Sequence, residues 1–214
     1  MNLHIVLSAL AHELRNPLTN IHLSTEMLGS TIQEEEQKGY LDIINRSSVR
    51  INLLITDLLN CLQTSDALPE EQSFPQLLEQ AMDEAADRIL LKKISVIRDY
   101  SLQDAAINLD GPQMRIALNN IIINALEAMA PGHGVLRLST RHAGNKYLVE
   151  IRDNGCGISK TNLPYLFQPY YTNKPNGLGL GLATTYNILQ SNNVGITVDS
   201  EEGKGTCFSL LFSK

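Results

Sequence analysis

From Leu3 the apolar positions recur at alternating intervals of four and three, through Leu3, Leu7, Leu10, Leu14, Pro17 and Ile21, with Leu28 seven further on. That is a heptad stripe along one face of a helix. After Gly29 and the polar run from Ser30 to Gln33, the pattern returns at Leu41, Ile44, Ser48, Ile51, Ile55, Leu58 and Leu62. Two long helices with so short a connection predict an antiparallel hairpin. Two helices alone cannot bury stripes of this length, so pairing with a second copy into a four-helix bundle is expected. Glu34, Glu35 and Glu36 read either as the start of the second helix, where the macrodipole favours negative charge, or as a solvated acidic loop.

The period changes beyond Thr64-Ser65-Asp66, and Pro69 with Glu70-Glu71 marks a linker over residues 64–72, dividing the chain into 1–66 and 67–214. Ser73-Phe74-Pro75 reads as an edge followed by a helix start, with Pro at the first helical position and Leu77, Leu78, Ala81, Met82 and Ala85 behind it. Strands are predicted from Ile94 to Tyr100, Ala105 to Leu109, Val135 to Arg141 and Tyr147 to Arg152. Asp110 caps a helix through Met129, another helix fits Leu182 to Ser191, and two strands close the chain. Strands and helices in mixed order imply an α+β fold with a sheet–helix sandwich as the second domain.

Composition sharpens this picture. In 214 residues, 43% apolar and 19% charged, a buried core can form and a wholly disordered chain is excluded. Seventeen Lys and Arg against 23 Asp and Glu give a net charge of −6, the wrong sign for a general nucleic-acid binder, so an anionic ligand needs a local site. Cys61, Cys156 and Cys207 are odd in number and far apart, which favours a reducing, cytoplasmic compartment over a disulfide framework. No apolar run approaches the ~20 residues of a membrane span, and no signal peptide opens the chain, so no membrane contact is expected of this stretch. The helical pattern already runs at Leu3 without a cap, which predicts a piece of a longer protein with room upstream for a membrane anchor.

Opposite both columns of the first stripe, His12 falls about 200° around the helix from Leu10 and from Leu14, so it should face water. Glu13 lies beside it, and Asn16 sits one turn on along the same surface. Pro17, at a cost of ~3 kcal/mol inside a helix, should bend the helix just past His12. An exposed imidazole is a competent nucleophile when a carboxylate fixes its tautomer, and Glu13 is placed to do so. The run His12-Glu13-Leu14-Arg15-Asn16-Pro17-Leu18 resembles the phosphoacceptor motif of bacterial two-component sensor histidine kinases. His4, His22, His133 and His142 lack such surroundings and read as surface or loop residues.

Asn120 and Asn124 are spaced i, i+4 on the helix that begins near Asp110. Asp153-Asn154-Gly155-Cys156-Gly157 follows a strand, where Gly155 and Gly157 let the backbone approach a flat ligand and the carboxylate can accept from an amine. The run Gly177-Leu178-Gly179-Leu180-Gly181-Leu182 leads into a helix, whose free amides favour phosphate. Each element alone is a weak signal. Together, over about sixty residues, they resemble the asparagine box and two glycine boxes of the GHKL ATP-binding fold, and Phe167 to Lys174 resembles the kinases' phenylalanine box.

What the resemblance implies is specific. The ligands are ATP and Mg²⁺: Asp153 binds the adenine amino group, Asn124 and Asn120 hold the metal, and Gly179 and Gly181 contact the phosphates. Gly155, Gly157, Phe167, Gly177 and Leu182 complete the nucleotide set, and Lys174 places charge on the γ-phosphate. Glu127 and Ala128 stand where many members carry a basic residue and an aromatic, which shifts weight from a helix-borne clamp to Lys174. Hydrolytic GHKL relatives carry Glu at the first asparagine's position, whereas the amide of Asn120 is no general base. The implied reaction is phosphoryl transfer to His12, oriented by Glu13, within a homodimer, followed by transfer to an aspartate of a response-regulator receiver domain. Asn16 would position water in the reverse, phosphatase duty. Motion at the 64–72 linker and at Pro17, with a lid from Lys160 to Asn176, is expected to bring the reacting atoms together. An ATP-binding scaffold without kinase activity, and a GHKL hydrolase or serine-directed kinase, are the rival readings.

Overall fold

A computed structural model of the chain describes residues 3–32, 34–62, 69–101, 106–143, 146–174 and 179–213, with the side chains of 3–13, 35, 36, 50, 53, 54, 56–62, 106 and 143 left undescribed. The chain divides into two compact units, Met1–Thr64 with Asn173–Leu180, and Ser65–Thr172 with Gly181–Lys214.

In the first unit, helix α1 (Leu3–Gly29) runs unbroken through Pro17, and α2 (Glu35–Leu62) returns beside it. The Ser48 hydroxyl donates to the Leu18 carbonyl at 3.2 Å, and Thr25 and Asn45 are hydrogen-bonded through the Thr25 hydroxyl. Residue numbers falling on one helix as they rise on the other make the pair antiparallel. Glu34 precedes α2 and accepts from the Gln37 side chain at 2.6 Å, so the helix-start reading of the acidic run holds for this residue.

On α1 the contact between the helices differs from the expected stripe, because Leu18 and Thr25 are the buried residues; on α2 the buried Leu41, Ser48 and Ile55 all belong to it. Leu14, Ile21 and Leu28 remain 50%, 42% and 49% exposed, with Ile44 and Ile51 similarly open on α2 and Pro17 exposed. The heptad pattern therefore contains two adjacent seams. The inner one closes the hairpin and is partly polar, whereas the more apolar one is uncovered within a single chain. His22, expected as a surface residue, is half-exposed but engaged, with Nδ1 3.0 Å from Asn45 Oδ1 and Nε2 3.5 Å from Glu26.

The second unit opens on β1 (Glu70–Ser73), which pairs antiparallel with β3 (Ala106–Leu109). This corrects the linker reading for Glu70, Glu71 and Gln72. Acidic side chains disguise the strand, but its backbone is tied to Leu109, Asn108 and Ile107. Residues 64–68 of the expected linker lie outside the described residues. Helix α3 (Phe74–Glu84) follows with Pro75 in its first turn as predicted, then α4 (Ala86–Lys92), which the sequence pattern did not reveal. Strand β2 (Ser95–Tyr100), helix α5 (Gly111–Ala128), strands β4 (Val135–Ala143) and β5 (Lys146–Asp153), helix α6 (Gly181–Ser191), and strands β6 (Gly195–Glu201) and β7 (Gly205–Ser213) complete the unit.

The large sheet has the order β2-β4-β5-β7-β6, with β2 parallel to β4 and all other pairs antiparallel. Alternate strand residues make one face apolar: Leu138, Ile151 and Phe208 line up across three strands, and α5 lies against β5 and β7. Phe74, Leu78, Met114, Leu118, Ile121 and Ile122 from the helices complete this core, and the rings of Phe74 and Phe212 meet at 4.2 Å. The fold class is thus α+β, a helical hairpin followed by a sheet covered by helices on one face.

Helix α5 is held at both ends. The Asp110 side chain accepts from the Gln113 amide at 3.1 Å, and its own amide donates to Asn192 Oδ1 at 2.9 Å. At the far end Lys92 Nζ of α4 donates to the carbonyls of Leu126 and Met129 at 2.7 and 3.2 Å, where cations suit the negative end of the dipole. Replacing Asp110 by Ala should lower the unfolding free energy of this unit by about 1 kcal/mol, read from the urea midpoint at unchanged slope.

Candidate functional site

Asp153 ends β5 with its side chain turned into the unit, 5% exposed. One carboxylate oxygen accepts from the Gly155 amide at 2.7 Å and from the Thr206 amide of β7 at 3.3 Å. Burial pushes this carboxyl above the usual carboxylate range, while the two amide hydrogen bonds act in the opposite sense. A carboxylate held by backbone donors on one oxygen keeps acceptor capacity on the other for a ligand amine.

The loop behind Asp153 is pinned by close backbone contacts. The Cys156 amide donates to the Ala128 carbonyl at 3.1 Å, so the loop rests on the end of α5, and the Gly203 amide donates to the Cys156 carbonyl at 2.7 Å. Gly157 has φ +68°, and a Cβ there would stand 2.1 Å from the Glu201 carbonyl oxygen. Gly205, at φ +103°, would place a Cβ 2.1 Å from the Asp153 carbonyl oxygen. These positions admit glycine because β5, its loop and the β6–β7 turn touch backbone to backbone.

Asn120 and Asn124 lie one turn apart on α5, both half-buried. The Asn120 amide nitrogen donates to the Gly181 carbonyl at 3.1 Å and reaches Thr185 Oγ1 at 3.4 Å, so this side chain binds α5 to the first turn of α6. That leaves its carbonyl oxygen as the atom that could bind a cation. The chemistry fits Mg²⁺, which is usually bound by one or two protein oxygens together with substrate phosphates. Among the described residues no three His, Cys, Asp or Glu side chains are grouped for a metal ion.

Phe167 packs on Tyr186 of α6, ring centroids 5.2 Å apart, and Leu182 lies against the core. Glu127, which stands where many members carry a basic residue, is 3.5 Å from Arg88 of α4 and is part of the α4–α5 junction. Asp153, Gly155, Gly157, Asn120, Asn124, Phe167, Gly181 and Leu182 all belong to the second unit. Lys174 and Gly179 belong to the unit of the helical hairpin, Lys174 exposed and Gly179 at φ +69°. Gly177 lies outside the described residues, as do Pro175 and Asn176 of the expected lid. His12 and Glu13 are on α1 with side chains outside the description, and Asn16 is exposed on the same helix.

Three residues at this site were not singled out from the sequence. Thr206 supplies a donor to Asp153, Gly205 permits the close approach, and Ser200 joins them: it accepts from the Ile158 amide at 2.8 Å, donates to the Gly205 carbonyl at 3.0 Å and lies 2.9 Å from the Thr206 hydroxyl. The available signal was a Gly-Thr pair directly after the turn at Gly203-Lys204.

Residues 3–67 match the His Kinase A (phospho-acceptor) domain, and residues 109–214 match the "Histidine kinase-, DNA gyrase B-, and HSP90-like ATPase" family. The chain belongs to the two-component histidine kinases. This histidine kinase core is 29% identical over 205 residues to sporulation kinase C of Bacillus subtilis, covering 95% of the chain and 47% of that protein. Over 208 residues it is 31% identical to sporulation kinase A of the same organism, covering 97% of the chain and 34% of the relative. The chain therefore spans less than half the length of these curated relatives. In fold it is similar to full-length ShkA in complex with AMPPNP, with TM-score 0.72 and 23% identity over 96% of this chain and 45% of that one. It is also similar to ThkA in complex with the response regulator protein TrrA, with TM-score 0.68 and 21% identity over 96% and 60%. Among the described residues no helix is long and apolar enough to cross a membrane.

The raised carboxyl of Asp153 gives a pH prediction. A folded-state value above the unfolded one makes the ionised form cost stability at neutral pH, and that cost disappears as pH falls through the folded value toward the unfolded value. Asp153→Asn, which keeps an acceptor for Gly155 and Thr206, should melt at or above the wild type at pH 7. The difference should close as thermal unfolding is followed down toward pH 4.

Proposed function

We propose that this chain is the catalytic core of a sensor kinase, organised as 1–66 for dimerisation and phosphotransfer and 67–214 for nucleotide binding, which transfers the γ-phosphoryl group of Mg-ATP to His12. The reading is carried by one observation: a phospho-acceptor domain match over residues 3–67 and a GHKL ATPase match over 109–214 occur in one chain. AMPPNP bound to the similar protein ShkA supports ATP as the nucleotide, and the ThkA–TrrA complex supports a response-regulator receiver domain as partner.

In this reading the second carboxylate oxygen of Asp153 accepts from the adenine amino group, and Gly155 and Gly157 let the backbone lie close to the base. Phe167 and Leu182 flank the nucleotide, and Gly177, Gly179 and Gly181 give amide donors to its phosphates. Asn124 and Asn120 offer amide oxygens to Mg²⁺, which when bound neutralises phosphate charge. Lys174 adds positive charge at the γ-phosphate.

The His12 imidazole attacks the γ-phosphorus as the bond to the β–γ bridging oxygen breaks, so that ADP leaves and an N–P bond forms. Glu13 takes the imidazole proton and orients the ring. With Asn120 in place of a carboxylate, nothing at that position activates water, and the histidine is the nucleophile left. The phosphoryl group then passes to an aspartate carboxylate of the regulator. Asn16, exposed one turn from His12, would hold water for the reverse, dephosphorylating reaction.

The uncovered stripe of Leu14, Ile21, Leu28, Ile44 and Ile51 supports dimerisation. A second copy offers the same apolar surface and closes a four-helix bundle. In light scattering, wild type should run as a dimer and Ile21→Glu as a monomer.

The chemistry is tested with ATP radiolabelled on the γ-phosphate. Label should appear on the protein, resist alkali, leave in hot acid and be abolished in His12→Gln. Free phosphate released without labelled protein would identify a hydrolase, acid-stable label a serine-directed kinase, and nucleotide binding with neither a scaffold.

A further inference from the structure

A hydroxyl is buried where α6 packs on α5. Thr185 is 0% exposed and lies one turn beyond Gly181, the first residue of α6. A hydroxyl has one proton to give and lone pairs to receive with, so its partners decide what it does.

The proton is committed. Thr185 Oγ1 donates to the Gly181 carbonyl at 2.9 Å, the bond that threonine in a helix makes to the residue four before it. What the hydroxyl offers the Asn120 amide nitrogen, 3.4 Å away, is therefore a lone pair. The Gly181 carbonyl, 3.1 Å from the same nitrogen, offers only lone pairs as well. Both neighbours call for the NH₂ end of the amide. With the amide reversed, its oxygen would face the Gly181 carbonyl oxygen, and the hydroxyl could answer it only by giving up its own bond to Gly181. The two contacts thus fix the sense of the Asn120 side chain, and among the described residues nothing donates to its oxygen.

An amide binds a hard cation through its oxygen and not through its nitrogen, so the sense of the amide decides whether it is a ligand at all. Groups behind a ligand that hold it in its binding orientation strongly affect metal affinity. We propose that Thr185 is a positioning residue for Mg²⁺, its hydroxyl bridging Gly181 and Asn120 so that the Asn120 oxygen is presented to the metal. This rests on the reading of Asn120 as a ligand of Mg²⁺. Because the bridge runs through the Gly181 carbonyl, the end of the glycine run and the metal ligand are set by one contact.

The test compares Thr185→Val, which keeps the shape and loses the hydroxyl, with Thr185→Ser, which keeps the hydroxyl, in the whole chain. Affinity for AMPPNP is measured by calorimetry with Mg²⁺ and with EDTA in its place. The gain in affinity that Mg²⁺ brings should shrink about fivefold in Thr185→Val, the worth of one neutral hydrogen bond, and return in Thr185→Ser. Metal-free binding should be the same in all three proteins. By NMR, the Asn120 Nδ2 protons of the nucleotide-free wild type should exchange slowly with water, and faster in Thr185→Val. A metal-free affinity that falls as far as the affinity with Mg²⁺, or a serine variant no better than valine, makes Thr185 a packing residue and overturns the proposal. Wild-type Nδ2 protons that exchange as fast as those of exposed asparagines overturn it too, with no variant needed. A wild type whose affinity ignores Mg²⁺ defeats the reading of the metal site itself, whereas a normal gain left intact in Thr185→Val defeats the positioning role alone.

Discussion

The nucleotide-binding half is built around a carboxylate placed where a carboxylate is costly. Asp153 is buried, its charged form disfavoured by its surroundings, and held by two backbone amides from different segments, Gly155 of its own loop and Thr206 of β7. Those bonds require β5, its loop and the β6–β7 turn to close on one another, which is why Gly157 and Gly205 meet carbonyl oxygens that no side chain could share. In the proposed reading, this geometry keeps a desolvated acceptor for a ligand donor. Such a group serves recognition at the expense of stability in the empty protein.

Elements with strong internal signals were legible from the sequence. Pro75 in the first turn of α3 and Asp110 before α5 announce helix starts, and alternation marks β4 and β5. Strand β1 was not legible, because Glu70 and Glu71 carry no apolar alternation and the strand exists through its backbone pairing with β3. Helix α4 was hidden for the opposite reason. Leu90 and Leu91 are apolar yet strongly exposed, so their periodicity misreports burial, while the groups that matter, Arg88 and Lys92, look like surface charges.

The heptads of α1 and α2 show a subtler limit. On α1 hydrophobicity pointed to Leu14, Ile21 and Leu28, whereas this helix meets α2 through Leu18 and Thr25; on α2 the buried Leu41, Ser48 and Ile55 all lie in the expected stripe. A polar residue whose hydrogen bond is satisfied across the hairpin, as Ser48 is by Leu18 and Thr25 by Asn45, fills a seam position without an apolar signature. At the candidate site the residue types were readable, but not their partners: that Asn120 ties α5 to Gly181 depends on a contact 61 residues away along the chain.

The double anchoring of α5 bears on where adaptation to a ligand can occur. A cylinder clasped by Asp110 and Asn192 at one end and by a lysine plug at the other behaves as a fixed rail, so the two asparagines it carries keep their spacing whatever docks against them.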